Sequence, residues 1–278
     1  MTLKRDPSGR LHIESPLMGE SLMRKGLLAD TDLPAGQVYR PLPELNVIKI
    51  GGQSIIDRGR KILLPILDEI VAARAEHQIV VVTGGGTRSR HAYAIALDLG
   101  MPSGVLAKLG ASISEQNALM VALLLTPYGG LKIGHDDVPK LAAYMAMNTL
   151  PVMHGMPPYG LWEEPPTTGR IPPHRTDVGA FLTAEVVGAR RCILVKDEKG
   201  LFTDDPKRDA QAEFIDEISV QTLLARDLVD LPVERSLLTA LSHAKSVREV
   251  YLVNGRERGA LTAALQGQNP GTRIYRDE

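Results

Sequence analysis

Short apolar runs that end in glycine constrain the fold of this chain more than any other feature. The run "QIVVVT" (78–83) is followed at once by three glycines, and "NVIKI" (46–50) ends at Gly51 and Gly52. Between the two runs, residues 58–77 carry apolar side chains at a spacing of three to four positions, which is typical of a helix. Fully apolar strands that alternate with helices predict a mostly parallel sheet with helices on both faces.

The rest of the chain continues this alternation. We expect a helix at 112–125 that begins at Ser112, because Ser112 and Glu115 have the spacing of a capping box. The other expected helices lie at 90–100, 138–148 and 177–189, and the other expected strands at 130–134, 149–153, 191–197 and 248–255.

Composition limits the class of protein. Residues 1–40 are polar and broken by Pro and Gly, so we expect an N-terminal extension, followed by one α/β domain over 41–278. The 32 Lys and Arg residues balance 33 Asp and Glu residues, which argues against nucleic acid or an anionic membrane as a partner. The N-terminus lacks an apolar signal region, and the single Cys192 excludes an intrachain disulfide, so we expect a cytoplasmic protein.

A long proline-rich loop interrupts the second half of the domain. The segment "MHGMPPYGLWEEPPTTGRIPPHRTD" (153–177) holds six of the 19 prolines and the only tryptophan, Trp162. Proline blocks helix interiors and central strands, so this segment predicts a loop. Loops of this length inside compact domains are commonly lids or binding loops.

Two glycine-rich strand ends suggest an anion site, because ligands of parallel α/β sheets bind beyond the carboxyl ends of the strands. Lys49 precedes Gly51 and Gly52, where backbone N–H groups and an ammonium could meet phosphate oxygens. The turn 84–86 leads into a helix that carries Arg88. The turn at 84–86 lacks the spacing of a Walker A loop or a dinucleotide fingerprint, and the turn at 51–52 taken alone also fits an ordinary Gly-Gly turn.

Two further segments carry charged groups in suggestive places. Asp177 precedes an apolar helical stretch, so it fits a helix N-cap or a carboxylate that orients a lysine or Mg²⁺. The strand 191–197 ends at Lys196 and Asp197, and turns follow through Gly200 to the Asp-Pro pair at 205–206. This last segment also fits a charged surface hairpin.

Taken in order, these motifs resemble the amino-acid kinase superfamily, and within it the uridylate kinases. The motifs are "VIKIGG", "TGGG", "RTDVGAFLTAE", "KDEKGLFTDDP" and a closing "VNG…GT", and together they span about residues 45 to 275. The resemblance implies a three-layer α/β/α sandwich around a mostly parallel sheet, with a site for ATP and Mg²⁺. Such phosphoryl transfer needs little covalent chemistry from the protein, so lysines, backbone amides and Mg²⁺ would suffice.

The resemblance also implies roles for individual residues. Lys49 and Asp177 would be catalytic, with Asp177 organising the centre. The residues implied to bind the nucleotide or the second ligand are Lys49, Gly51, Gly52, Gly84, Gly85, Gly86, Arg88, Lys196, Asp197, Gly200, Phe202, Asp205 and Pro206.

Other segments are similar to the molybdenum storage protein family, notably "GMPPYGLWEEP", "RIPPHRTDVGAFLTAE" and "VREVYLVNG". That family forms hexameric cages of kinase-like subunits, which use ATP to load molybdate or tungstate as polyoxometalate clusters. The similarity implies that the proline-rich loop walls a cavity and that the chain joins a homo- or hetero-hexamer. His135 and His174 lie where subunits of that family offer comparable histidines, and His154 is a further candidate metal ligand without a clear counterpart.

Three functions therefore stay open. The first is ATP-dependent storage of molybdate or tungstate, and the second is a nucleoside monophosphate kinase of the uridylate type. The third is a non-catalytic regulatory module that binds ATP and an oxyanion. The proline-rich loop favours storage, whereas the nucleotide motifs fit storage and kinase function equally.

Overall fold

The computed structural model describes residues 3–13, 38–205, 208–209, 211–228 and 230–277, and the predicted nucleotide-binding Pro206 lies outside them. The chain divides into two compact units, residues 1–38 and 39–278. In the first unit, strands β1 (Leu3–Arg5) and β2 (Leu11–Ile13) pair antiparallel.

The second unit contains the strands and helices that build the α/β domain. In chain order its strands are β3 (Leu45–Ile50), β4 (Gln78–Thr83), β5 (Gly130–Lys132), β6 (Leu150–His154), β7 (Arg191–Lys196), β8 (Leu201–Phe202), β9 (Phe214–Ile215), β10 (Glu217–Ser219), β11 (Glu249–Asn254) and β12 (Thr272–Tyr275). Its α-helices are α1 (Arg60–Ala73), α2 (Gly86–Asp98), α3 (Ser103–Leu124), α4 (Leu141–Ala146), α5 (Thr176–Val187), α6 (Val220–Arg226), α7 (Arg235–His243) and α8 (Ala260–Leu265). Short 3-10 helices lie at Ile56–Arg58, Thr126–Tyr128, His135–Lys140 and Gly160–Trp162.

One eight-stranded sheet organises this unit, in the order β10-β12-β11-β7-β3-β4-β6-β5. The six strands from β11 to β5 are parallel, whereas β12 runs antiparallel to β11 and β10 runs parallel to β12. Strands β8 and β9 form a separate antiparallel pair. The expected α/β/α sandwich with a mostly parallel sheet is therefore confirmed.

Alternation of side chains along the central strands builds one core on each face of the sheet. In β3, Leu45 and Val47 pack with α5 and α7, whereas Ile48 and Ile50 pack with α1, α3 and α8 on the opposite face. Successive residues of a strand point to opposite faces, and both faces here are covered, so every residue of β3 is buried. Burial on both faces explains why the central strands read as continuous apolar runs.

The expected start of the long helix at Ser112 is wrong. Helix α3 begins at Ser103, and the Ser112 hydroxyl donates to the carbonyl of Leu109 within the helix, at 2.8 Å. Its two glycines serve close packing, since a Cβ at Gly104 would lie 2.9 Å from the carbonyl carbon of Leu161. Although α3 has 22 residues, no helix in the described part of the chain is both long and apolar enough to cross a membrane.

Candidate functional site

A cavity of about 840 Å³ opens at the carboxyl ends of β3, β4 and β7. Strand β3 lies between the other two, so the loops that follow all three strands meet at this edge. The structure brings nine of the predicted residues together in the cavity lining: Lys49, Gly51, Gly52, Gly84, Gly85, Gly86, Asp177, Lys196 and Asp197.

An ion-paired triad lies at the centre of the lining. The Nζ atom of Lys49 is 2.6 Å from one carboxylate oxygen of Asp177, and the Nζ atom of Lys196 is 2.7 Å from the other. Strand alternation explains the meeting, because Lys49 follows Leu45 and Val47 on the face that α5 covers, and Asp177 lies in the first turn of α5. The three side chains are at most 14% exposed, so water screens their charges only weakly.

Burial and charge act in opposite directions on this triad. Burial alone would raise the pKa of the Asp177 carboxyl, but the ammonium groups of Lys196 and Lys49 outweigh burial and hold that pKa below its ordinary value. Burial lowers the pKa of Lys196, although the charge of Asp177 opposes this shift. Asp177 therefore stays anionic and orients two lysines towards the cavity.

Asp177 is not the N-cap of its helix, since α5 begins at Thr176 and Arg175 occupies the cap position without a side-chain cap. The cap comes from Glu234, whose carboxylate accepts hydrogen bonds from the backbone N–H groups of Arg175, Asp177 and Val178 at 3.1 to 3.2 Å. Glu234 is buried and lines the cavity. Burial raises the pKa of Glu234, and the nearby charge of Asp177 adds to this rise.

The two glycine turns touch each other through their backbones. A Cβ at Gly52 would lie 2.6 Å from the Cα of Gly86, and a Cβ at Gly84 would lie 2.7 Å from the nitrogen of Gly52. Real side chains do not approach this closely, so glycine is required at both turns. The turns together form one wall of the cavity with backbone groups at its surface.

Helix α3 supports this wall with buried polar side chains that the sequence did not indicate. The amide of Asn117 donates to the carbonyls of Gly84 and Gly85, at 2.6 and 3.2 Å. Arg88, predicted to contact a ligand, instead donates to the side chains of Gln116 and Asn117 and is absent from the lining. Arg88 therefore holds the Asn117 side chain in place and does not face the cavity.

The remaining predicted nucleotide residues divide between the cavity rim and the loop beyond it. Asp197 forms an ion pair with Arg58, and both line the cavity. Gly200 packs closely, because a Cβ there would lie 3.0 Å from the ring of Phe214, and the Phe202 ring lies edge-on to Phe214. Gly200, Phe202 and Asp205 follow the lining residue Glu198 in the chain but do not line the cavity themselves.

Two of the three candidate histidines meet, and the third does not. The rings of His135 and His154 lie edge to face with centroids 4.4 Å apart. Burial and then the charge of His135 lower the pKa of His154 to about 4, and burial also lowers the pKa of His135. The Nδ1 atom of His154 is buried and has no hydrogen-bond partner among the described residues. His174 instead bonds the buried Glu163 carboxylate through Nδ1, at 2.7 Å.

The proline-rich loop contributes few side chains to the lining. Its Met156, Ile171, Arg175 and Thr176 reach the cavity, whereas Trp162 is 90% exposed. Burial raises the pKa of the Cys192 thiol, which sits in the core, so this thiol is not a nucleophile of the site. Within the described residues, no group of three or more His, Cys, Asp or Glu side chains could hold a metal ion on its own.

Basic side chains of the lining outnumber acidic ones by one. Five basic and four acidic side chains line the cavity, namely Lys49, Arg58, Arg90, Arg175 and Lys196 with Asp177, Asp197, Glu198 and Glu234. The hydroxyl of Ser89, at the N-terminal end of α2, is buried beside the glycine turn and lacks a partner among the residues that the structure describes. This end of the cavity therefore combines backbone groups of the glycine turn, the Ser89 hydroxyl and nearby cations, although the N–H of Thr87 in the first turn of α2 already donates to Asp57.

The sheet strands and glycine turns that form the cavity lie within a stretch of the chain that matches a known protein family. The model of the Amino acid kinase family matches residues 44–254. The chain belongs to the amino acid kinase family.

Relatives within the amino acid kinase family fall into two groups. Over 259 residues the chain is 47% identical to a molybdenum storage protein subunit beta of Azotobacter vinelandii, which covers 92% of this chain and 96% of that subunit. It is 25% identical over 234 residues to a uridylate kinase of Methanobrevibacter smithii, covering 82% of this chain and 97% of the kinase. The structure of a uridylate kinase from Archaeoglobus fulgidus superposes with a TM-score of 0.64 at 22% identity, covering 82% of this chain and 99% of that one.

Proposed function

We propose that this protein is a subunit of an assembly that stores molybdate or tungstate and uses ATP with Mg²⁺ to load it. The observation that carries the proposal is the 47% identity to a storage protein subunit along nearly the full length of both chains. The name of that relative also supports an assembly with a related subunit, which we propose to be a hexamer.

The cavity supports the nucleotide part of the proposal. Its volume of about 840 Å³ lies in the range of small-molecule and cofactor sites. We assign the phosphates of ATP to the wall made by the turns 51–52 and 84–86, with Lys49 and Lys196 neutralising the charge that develops during hydrolysis. The pairing of both lysines with Asp177 fixes their ammonium groups before a ligand arrives.

The carboxylates of the lining decide how Mg²⁺ would bind. Asp177 is engaged by two lysines and Asp197 by Arg58, so neither offers a free carboxylate. Mg²⁺ keeps several waters and binds phosphates with one or two carboxylates. The site therefore fits Mg²⁺ that enters together with ATP, bound to the phosphates and separated by water from Asp197 and Glu198, and there it would neutralise phosphate charge.

The histidine pair supports the cargo part of the proposal. His135 is hydrogen-bonded to the backbone of Met156, and a histidine held in this way by one ring nitrogen presents the other as a metal ligand. Burial disfavours the charged form of both rings, and the neutral form is the one that coordinates metal. We assign His135 and His154 to oxomolybdate or oxotungstate. His174 does not meet this pair, and with its Nδ1 bonded to Glu163 it could serve as a separate ligand only through Nε2.

A uridylate kinase activity is the second candidate, and the fold favours it equally. The kinases of Methanobrevibacter smithii and Archaeoglobus fulgidus are covered almost completely by this chain. Phosphorylation of UMP by the purified protein with Mg²⁺-ATP would support this candidate.

Elemental analysis tests the storage proposal directly. Protein incubated with molybdate or tungstate, with and without Mg²⁺-ATP, would be desalted and analysed for both metals. We expect many metal atoms per chain, retained only when ATP was present, and much less in Lys49→Ala. Absence of retained metal both for the chain alone and for the chain with a related subunit would reject storage.

A further inference from the structure

Glu234 lines the cavity but does not belong to the triad of Lys49, Asp177 and Lys196. Its Oε2 atom accepts from the N–H groups of Arg175 and Val178, and its Oε1 atom accepts from the N–H of Asp177 at 3.1 Å. The residue comes from the segment before α7, 57 positions along the chain from Asp177. Its side chain is only 8% exposed.

The carboxylate fills the N-terminus of α5. The first N–H groups of a helix lack partners within the helix and carry a partial positive charge, so that end attracts anions. Arg175, at the cap position, offers no side-chain acceptor to these groups. Glu234 therefore acts as a built-in anion at a place where a phosphate or molybdate oxygen would otherwise be drawn.

The same contacts fix the orientation of Asp177. The backbone N–H of Asp177 is held by Glu234, while its side chain is held by Lys49 and Lys196. Loss of the backbone contact would free the first turn of α5 to rotate, and the two lysines would move with the carboxylate. Displacements of about 1 Å at such a centre reduce rates by roughly 100-fold.

Both helix ends near the cavity hold a carboxylate, but only the carboxylate at α5 contacts a residue of the triad. At α5 the N–H groups of Asp177 and Val178 donate to Glu234, whereas at α2 the N–H of Thr87 donates to Asp57, which lies outside the cavity lining. We propose that Glu234 is a positioning residue that holds Asp177 between its two lysines. This inference rests on the proposed ATP-dependent function and assigns to Glu234 the alignment of the centre at which that function would take place.

The test compares Glu234→Gln with a matched control. Glutamine keeps the shape but leaves one acceptor oxygen in place of two, so at least one of the three N–H groups loses its partner. The control is Glu185→Gln, because Glu185 likewise accepts from three backbone N–H groups, those of Lys245, Ser246 and Val247, outside the cavity lining.

We expect Glu234→Gln to lower kcat for ATP hydrolysis by about 10- to 100-fold without raising KM, since the turns and lysines that attract phosphate remain. Glu185→Gln should lower Tm but leave kcat and KM unchanged. Equal kcat losses in both variants, or wild-type kinetics in Glu234→Gln, would overturn the proposal.

Hydrogen exchange separates this inference from the proposed function. Exchange of the Asp177 and Val178 amides needs no ligand, and we expect it to be about tenfold faster or more in Glu234→Gln than in Glu185→Gln. A wild-type protein that neither binds nor hydrolyses ATP would reject the proposed function, and the exchange comparison would still decide whether Glu234 holds Asp177. Unchanged exchange in Glu234→Gln would reject the positioning role even in an active enzyme.

Discussion

Replacing Lys49 by methionine is the sharpest test of the triad. In the structure the Lys49 ammonium lies 2.6 Å from Asp177, and both side chains are 5% exposed. Removing one partner from a buried ion pair costs about 3–5 kcal/mol of unfolding free energy. We expect the lower end, about 3 kcal/mol, because Lys196 still neutralises Asp177 and is relieved of repulsion from Lys49.

A loss of that size is measurable in a chain of this length. At about 2–4 °C per kcal/mol, Tm should fall by about 6–12 °C in Lys49→Met. Combining Lys49→Met with Asp177→Asn should cost less than the sum of the single changes, by about 0.5–3 kcal/mol. Urea unfolding and calorimetry at pH 7 would provide these values.

An exposed pair provides the control for this prediction. Arg190 and Glu44 lie 2.9 Å apart, with side chains 48% and 65% exposed, and such pairs contribute about 0.2–1 kcal/mol. Glu44→Gln should therefore lie within that range. A loss in Lys49→Met no larger than in Glu44→Gln, or strict additivity with Asp177→Asn, would refute the reasoning that Lys49 and Asp177 are coupled by burial.

Three more predictions concern the cavity wall, the histidine pair and the loop. Gly52→Ala puts a Cβ 2.6 Å from the Cα of Gly86, so we expect the free energy of unfolding to fall by about 1–3 kcal/mol and calorimetry to show weaker ATP binding. Gly134→Ala is the control and should change neither, because a Cβ at Gly134 would have only one atom within 4 Å. The pKa of His154, about 4 in the folded chain, lies below the unfolded value of about 6.5. The contribution of neutral His154 to the free energy of unfolding is therefore complete above pH 6.5 and is lost as pH falls towards 4. Urea unfolding should show that the free energy of unfolding falls by about 2 kcal/mol from pH 7 to pH 5, and that this fall disappears in His154→Gln. A His154→Gln variant with the wild-type pH dependence would contradict this prediction. Replacing residues 160–168 by a Gly-Ser linker should increase leakage of stored metal, and unaltered retention would show that this loop is no barrier.

The central strands were predictable because their signals are local, whereas the triad needed the resemblance to a family. Strands 45–50 and 78–83 are mainly apolar, and glycines follow each of them directly. Lys49 interrupts one such run, and parallel strand ends meet at one edge of the sheet, but taken alone this pattern also fits an ordinary turn. Membership of the family then connected Lys49 with Asp177 and Lys196.

Glu234 and Asn117 could not be predicted in the same way. Each acts on backbone groups at least 32 residues away, and nothing in the neighbouring sequence distinguishes them from an exposed glutamate or a helical asparagine. The start of α3 was misread for a related reason. Gly104 and Gly110 lower helix propensity, but close packing on Leu161 and Tyr93 outweighs that cost, and only the folded structure reveals the packing.

The contact between the two glycine turns has a consequence for the lifetime of the folded chain. The turns meet only when β3 and β4 are paired in register, with Ile50 opposite Thr83. A ligand bound by both turns would therefore favour the folded sheet as a whole, by about 2.7 kcal/mol at 100 times its Kd. Thermodynamic linkage would then extend protection from heat and proteases to β11, although no residue of that strand lines the cavity.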